Sequence, residues 1–417
     1  MDNIIENDYD IIIAGGGMIG TCLALALAPL KLRVAVVEPV QRAAAEQPSF
    51  DERSTALSRS TQRMFEAMGL WPEVVAASTP IHHIHVSDQG RFGFSHIDAE
   101  EQKVEALGYV VINRVLGEVL QSRIGKTDEL DWISPARIVA IRRGDETQQV
   151  SIEHQGQKIE LQCRLLVAAD GANSSVRDMI GISAKKMDYD QMAVIGNLLP
   201  QKPMNNTAYE RFTPDGPMAM LPVADDRAAF VWTLPPDTAK EVLQLSDSEF
   251  TRKLHQAFGG RLGTFSKVGK RVAYPLSLSK ANGLIGHRGV LVGNAAHGLH
   301  PVAAQGFNLG MRDVAALCDC LYDAQLAATR ADADFDPGSP VILNKFADWR
   351  RVDQSKVMHF TDHLVRLFAS PRKPVAMLRN IGMLGFDFVP GVRRLFARHT
   401  MGLAGTLPRL SRGVPLE

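Results

Sequence analysis

Runs of apolar residues separated by glycine-rich turns set the rhythm of this chain. Residues 9–14 form a short β-branched run. Gly15-Gly16-Gly17-Met18-Ile19-Gly20 follows, and an apolar helical stretch then continues to about Pro29. Residues 33–37 predict a second strand, closed by Glu38. Residues 51–59 follow a Pro- and Ala-containing loop and predict entry into another helix. Residues 81–97 alternate around Asp88-Gln89-Gly90 and predict a hairpin. Asn113 is placed as the cap of a helix reaching about Ile124, with Arg114 in its first turn. Residues 137–142, 150–153 and 158–161 read as strands around polar turns.

Residues 165–169 predict a buried strand ending at Asp170-Gly171, and Ala172-Asn173-Ser174-Ser175-Val176-Arg177 opens a helix. From residue 187 to 275 the pattern alternates, with strands at 193–199, 209–212, 219–223 and 229–234 around one polar helix near 247–258. Residues 271–276 lead back to a third apolar run, 289–292, which ends at Gly293-Asn294. A small-residue loop broken by Pro301 follows, and Gly306-Phe307-Asn308 opens a helical pattern that continues to about residue 370, interrupted at 332–339.

Strand, glycine turn and helix N-terminus thus recur three times, and each such segment suits a polar or anionic ligand group. The first is the most specific. Gly15, Gly17 and Gly20 occupy the G-x-G-x-x-G positions inside a complete βαβ unit, and Glu38 ends the second strand. Gly15 then allows the tight turn, Gly17 the approach of a pyrophosphate, and Gly20 close packing of helix on strand. Glu38 is expected to accept from a ribose hydroxyl. Arg53 reads equally as a surface cation or as a cofactor contact. Three such segments far apart in sequence suggest one extended ligand.

Lys and Arg together number 46, as do Asp and Glu, so the zero formal charge argues against a nucleic-acid partner. The balance conceals a basic tail, where ten Lys or Arg face three acids between Ser355 and Glu417 among many apolar residues. That composition fits a peripheral membrane surface or partner face, and equally a helical cap packed on its own domain. Cys22, Cys163, Cys318 and Cys320 are sparse and read as ordinary buried thiols. The acidic N-terminus lacks the basic region of a signal peptide and no apolar run approaches a membrane span, so a cytoplasmic protein is expected, peripheral to a membrane at most. His297 and His300 lack a third metal ligand, so no metal is expected.

The order Gly-x-Gly-x-x-Gly, Asp170-Gly171, Gly293-Asn294, His300-Pro301 and Gln305-Gly306-x-Asn308 resembles the flavoprotein aromatic hydroxylases of the para-hydroxybenzoate hydroxylase type. Within them the chain is similar to the ubiquinone-biosynthesis hydroxylases. His85-Val86-Ser87-Asp88, Glu210-Arg211-Phe212-Thr213, Gly216 to Pro222 and Val292 to His297 support this over nearly the whole length. The resemblance implies an α/β fold with a Rossmann-like FAD-binding domain (1–79, 103–186 and 272–354), an inserted sheet-rich substrate domain (80–102 and 187–271) and a C-terminal helical segment (355–417). It implies FAD, with NADPH or NADH as reductant and O2 as co-substrate. The substrate implied is a prenylated phenol, 2-polyprenyl-6-methoxyphenol, in a quinone-biosynthesis complex or at a membrane. A sister hydroxylase for another ring position and a flavin reductase or dehydrogenase on the same fold are the alternatives.

The resemblance also assigns residues. Arg53 and Arg114 match positions near the cofactor. Asp170, Gly171 and Arg177 match the segment serving FAD and the reductant. Gly293, Asn294, Pro301, Gly306 and Asn308 match the cradle of ribityl chain and flavin ring. His300 is the candidate for shaping the flavin environment, whereas His297 reads as structural. Arg211, Phe212, Pro217, Met218, Met220 and Leu221 are candidate substrate contacts or, equally, sheet core. Asn294 replaces the Asp usual in the wider family, and Ala304 stands where Gly is frequent.

Overall fold

The computed structural model describes residues 8–41, 51–90, 94–127, 130–299, 305–369 and 390–416, the side chains of 360–369 and 390–394 excepted. Strand β1 (Asp8–Ala14) is followed by helix α1 (Met18–Leu27) and strand β2 (Val34–Val37). Helix α1 is apolar around its circumference and is buried from Gly20 to Leu27, so it acts as core. Residues 54–58 are strand β3 (Ser54–Ser58), not the predicted helix, which begins later as α2 (Arg59–Ala67). The strand exists because Ser54–Ser58 pairs with Gly108–Ile112, a distant partner invisible to local pattern.

After α3 (Trp71–Ala76) come β4 (Ser78–Ile81), β5 (His83–Asp88), β6 (Phe94–Asp98) and β7 (Gly108–Ile112). The predicted hairpin is present, as β5 and β6 pair antiparallel. Helix α4 (Asn113–Ile124) begins at Asn113, but that residue does not cap it. Its Oδ1 instead accepts from Thr55 Oγ1 at 2.6 Å. Then follow β8 (Leu130–Ile133), β9 (Ala136–Arg143), β10 (Gln148–His154) and the long β11 (Gln157–Ala168), which joins two predicted strands into one.

The chain continues through α5 (Ser175–Met179), β12 (Ala184–Pro200), β13 (Thr207–Thr213), β14 (Gly216–Pro222) and β15 (Ala228–Leu234). Two helices follow where one was expected, α6 (Pro236–Gln244) and α7 (Asp247–Phe258). Helix α7 is fixed by a Ser246/Glu249 capping box, and α6 starts on a Pro that suits a first turn. The last strands are β16 (Phe265–Ser266), β17 (Val272–Ala281), β18 (Ile285–Gly286), β19 (Gly289–Leu291) and β20 (His297–Gly298). Helices α8 (Gln305–Ala331), α9 (Pro340–Ala369) and α10 (Pro390–Thr400) complete the chain.

Two large sheets organise these elements. The first runs β18-β19-β11-β1-β2-β8, with β19, β11, β1, β2 and β8 parallel, and β9 and β10 attached through β11. Its parallel strands carry apolar side chains on both faces, as burial between helices requires. The second runs β20-β17-β12-β15-β14-β13-β5-β6. One face packs Met218, Met220, Phe230 and Trp232 against Phe250, Leu254 and Phe258 of α7. The opposite face turns toward the small sheet β3-β7-β4. There Ala208, Leu221 and Ala229 pack with Ala56, Ile81 and Val110 of the small sheet β3-β7-β4, and with Phe396, Ala397 and Met401.

The part of the basic tail from residue 395 to 416 is therefore largely a cap: Ala397, Met401, Leu410 and Leu416 are core, and Arg409 pairs with Asp319 and Asp323. Residues 370–389 of that tail lie outside the described residues. Among the described residues no helix is long and apolar enough to cross a membrane. All four cysteines are buried.

Candidate functional site

Val37, Ala14, Ala168 and Leu291 form one row across β2, β1, β11 and β19. The three glycine turns that follow these residues leave the same sheet edge side by side. Ladder bonds carry the alignment past the strand ends: Gly15 N donates to Val37 O at 2.8 Å, Ala169 N to Ala14 O at 2.8 Å, and Val292 N to Ala168 O at 3.0 Å. This is the carboxyl end of a parallel sheet, where ligands of such folds bind.

In the first turn Gly15 has φ +99, and a Cβ there would lie 2.7 Å from Ala169 O. A Cβ on Gly20 would collide with the Gly15 carbonyl oxygen. Gly17 is the N-cap of α1 and brings no side chain to it, so the N–H groups of that first turn remain available to an anion. Glu38 accepts from Gly16 N and, at 3.0 Å, from Val40 N. Burial pushes its carboxyl up, with the Val40 and Gly16 amides opposing. Its spare lone pairs suit a ribose hydroxyl.

In the second turn Asp170 Oδ2 accepts from Val176 N at 3.2 Å. Oδ1 is buried and has no partner among the described residues. An orphaned buried acceptor at a turn, beside a glycine at φ +87 with open space where a Cβ would stand, fits a ligand carrying hydroxyl groups. Arg177 is placed differently. It is almost fully buried, and its Nη1 donates to Ala172 O and Ala295 O, both at 3.2 Å. The guanidinium thus ties the second turn to the third.

In the third turn Gly293 has φ +58, with Ile19 of α1 3.1 Å from where its Cβ would be. Asn294 is exposed at the tip. Gly306 lies in the first turn of α8, with nothing where a Cβ would project. Asn308 is buried and engaged: Oδ1 accepts from Ser58 N and Thr61 Oγ1 at 2.8 Å each, and Nδ2 donates to Ala56 O at 2.9 Å. It fastens α8 to β3 and α2. His300, Pro301 and Ala304 lie outside the described residues.

Arg53 pairs with Asp51 and lies 5.0 Å from the ring of Tyr274 on β17. Arg114 is exposed, between Glu52 and Glu118 at 2.7 Å each. Among the substrate candidates, Met218 and Met220 are sheet core on the α7 side, and Arg211 joins them there, its Nε donating to Ala257 O at 3.2 Å. By strand alternation Phe212, Pro217 and Leu221 occupy the opposite face, where Leu221 packs with the small sheet β3-β7-β4.

Sequence reading missed two features. One is the buried network under the third turn. Asp313 on α8 accepts from Gly293 N at 2.9 Å and from Arg350 Nε at 2.7 Å, and lies 2.6 Å from His297 Nε2. Gln354 Nε2 also donates to it at 2.9 Å, and Arg312 and Arg350 converge on Asp353. Burial alone would raise the Asp313 carboxyl, but His297 and Arg350 outweigh it and hold the group below the usual carboxylate range. A lone Asp among Met311, Val314 and Ala315 on an apolar helix was the available signal. The other feature is Glu210 on β13, a half-buried carboxyl on the face that turns away from α7.

The chain matches the family described as FAD binding domain over residues 8–332. It is 37% identical over 410 residues to the ubiquinone hydroxylase UbiL of Rhodospirillum rubrum, covering 98% of this chain and 93% of that protein. It is 30% identical over 399 residues to the 3-demethoxyubiquinol 3-hydroxylase of Escherichia coli, covering 94% and 98%. The fold is shared with p-nitrophenol 4-monooxygenase PnpA from Pseudomonas putida at TM-score 0.78 and 18% identity, covering 96% of this chain and 99% of that one. The chain thus belongs to the FAD-binding-domain family, among the aromatic hydroxylases of ubiquinone biosynthesis, and is a flavoprotein monooxygenase.

Proposed function

We propose that this protein hydroxylates the ring of a prenylated phenol, using O2 and NADPH or NADH, with 2-polyprenyl-6-methoxyphenol as substrate. The observation that carries the reading is the convergence of three glycine turns on one sheet edge, with Asp170 Oδ1 buried there without a partner among the described residues. When bound, FAD supplies the electrons and the oxygen activation. The chain's own residues grip and orient. The α1 N-terminus and Gly15–Gly17 hold the pyrophosphate, and Glu38 the adenosine ribose. Asp170 and the Gly293-Asn294 turn take hydroxyls of the extended cofactor, with Gly171, Gly306 and the His300-Pro301 loop around the flavin. Arg177 and Asn308 position those turns through the carbonyls and amides they bind. Arg53 and Arg114 approach the cofactor from the rim, and Phe212, Pro217 and Leu221 face the substrate.

A second reading, hydroxylation at another ring position, is favoured by the likeness to a 3-demethoxyubiquinol hydroxylase. Incubation with reduced nicotinamide, ¹⁸O2 and each candidate phenol tests both: a hydroxylated product with one labelled oxygen is expected. Flavin oxidation with no labelled product would instead indicate a reductase. Membrane contact is proposed for the basic and apolar sequence at 370–389. Replacing Arg372, Lys373 and Arg379 by Ser is expected to weaken flotation with anionic vesicles, and unchanged flotation would exclude it.

A further inference from the structure

We propose that Glu210 is the group that accepts the proton of the substrate's phenolic hydroxyl, an assignment that rests on the phenol-hydroxylase reading above. Register places Glu210 in a cross-strand row of the second sheet: Val272, Ile195, Val231, Ala219, Glu210 and Val86. It is the one ionisable side chain in that row. Every member is half-buried, whereas the other face of the same strands is packed core.

The row lies on the side of the sheet where the cofactor-bearing elements approach. Asn197 Nδ2 meets Glu52 O at 3.5 Å, Arg53 covers Tyr274, and β20, which follows the Gly293 turn, pairs with β17. Ala208 and Leu221 on this face pack with Phe396 and Ala397 of α10. The Glu210 side chain lies deep among protein atoms yet keeps accessible surface, as expected of a group lining an internal cleft.

Its carboxyl makes no hydrogen bond or ion pair with any described residue. A half-buried carboxyl without a protein partner gives up part of its hydration and returns nothing to the fold. It is explained by a ligand that brings the missing donor. The groups on neighbouring elements are Asp51, Glu52 and Arg53 ahead of β3, His83 and Asp88 on β5, and Arg398 and His399 on α10. None of them moves the Glu210 carboxyl; burial alone pushes it up to about 8. That narrows the gap to a phenol at about 10, the condition for efficient proton transfer near neutral pH.

The step is simple in balance. The phenol O–H bond breaks, the proton passes to a Glu210 oxygen, and the electron pair stays on the phenolate oxygen. Nothing is oxidised or reduced. The ring becomes the electron-rich partner that hydroxylation needs.

The test uses the full chain loaded with FAD and a short-chain 2-methoxy-6-prenylphenol. Wild type is expected to form product at a rate that rises with pH and levels above about 8. Glu210→Gln is expected to bind FAD normally, lose that limb and fall about 100-fold in kcat, with KM little changed. Glu210→Asp is expected to keep the limb at a lower rate, which guards against a misfolded Gln variant. An independent readout is melting temperature. A folded carboxyl raised above its unfolded value near 4.3 holds a proton that the unfolded chain releases, so wild type loses stability as pH rises through that window. Glu210→Gln is expected to lose that slope. If wild type hydroxylates the phenol while Glu210→Gln keeps both rate and pH limb, Glu210 is not the acceptor and the functional reading stands. If wild type hydroxylates no phenol, the functional reading falls and the assignment with it.

Discussion

The floor under the third turn and one face of the second sheet each bury a carboxyl, wholly at Asp313 and partly at Glu210, and they shift it in opposite directions. Asp313 is met by His297, Arg350, Gln354 and the Gly293 amide, so pairing overcomes burial and the charge is kept. Glu210 is flanked across the strands by Ala219 and Val86, so burial acts unopposed and pushes its carboxyl up. The contrast separates two uses of a buried acid. A saturated one locks geometry, here the turn that carries Gly293. An unsaturated one is left poised for a ligand.

The largest effect that would sharpen this contrast is at Asp313. Asp313→Ala strips His297, Gln354 and the Gly293 amide of their shared acceptor and leaves Arg350 with Asp353 alone, and a loss of about 3–5 kcal/mol is expected in denaturant unfolding. Asp313→Asn isolates the charge. Because the folded carboxyl lies below its unfolded value, its stabilisation is complete above about pH 4 and is lost as pH falls further. The gap between wild type and Asp313→Asn is therefore expected to narrow in acid. A gap independent of pH would mean that the carboxylate charge is not what locks the turn.

A smaller and different effect is expected at Asp170. Its Oδ1 is buried without a partner among the described residues, so on the proposed role Asp170→Ala is expected to weaken FAD binding by about 10- to 100-fold, read by flavin fluorescence. Apo-protein stability is expected to change by about 1 kcal/mol at most, through the Val176 amide. Unchanged affinity would remove Asp170 from the cofactor contacts. The smallest effect is expected at Arg114, whose two ion pairs are exposed. Arg114→Ala is expected to shift stability by less than about 0.5 kcal/mol and FAD affinity by a few-fold. No shift in affinity would make it a surface residue only.

Sequence reading succeeded where structure is local. A β-branched run, a glycine turn and an apolar helix follow one another within a few residues, so β1, α1 and β2 and their Gly15, Gly17, Gly20 and Glu38 were legible in order. The other two turns were legible for the same reason. It failed where an element depends on a distant partner. Ser54–Ser58 became a strand through β7, and Asn113 surrendered its cap role to Thr55. Glu210 was visible as part of a Glu-Arg-Phe-Thr segment, but only the sheet decided that Arg211 faces α7 while Glu210 lies on the opposite face. Met218 and Met220 went to the core by the same alternation.

By itself, then, the sequence determined which residues turn, which strands are buried, and that three glycine turns follow buried strands. Those follow from backbone freedom at glycine and from hydrophobic period, both properties of neighbouring residues. Tertiary structure alone decided that the three turns share an edge, that Asp313 is saturated and that Glu210 is not. Register and facing set how many partners a buried carboxyl meets, and partners at sequence separations such as that between Asp313 and Arg350 come together only when the sheets and helices have packed.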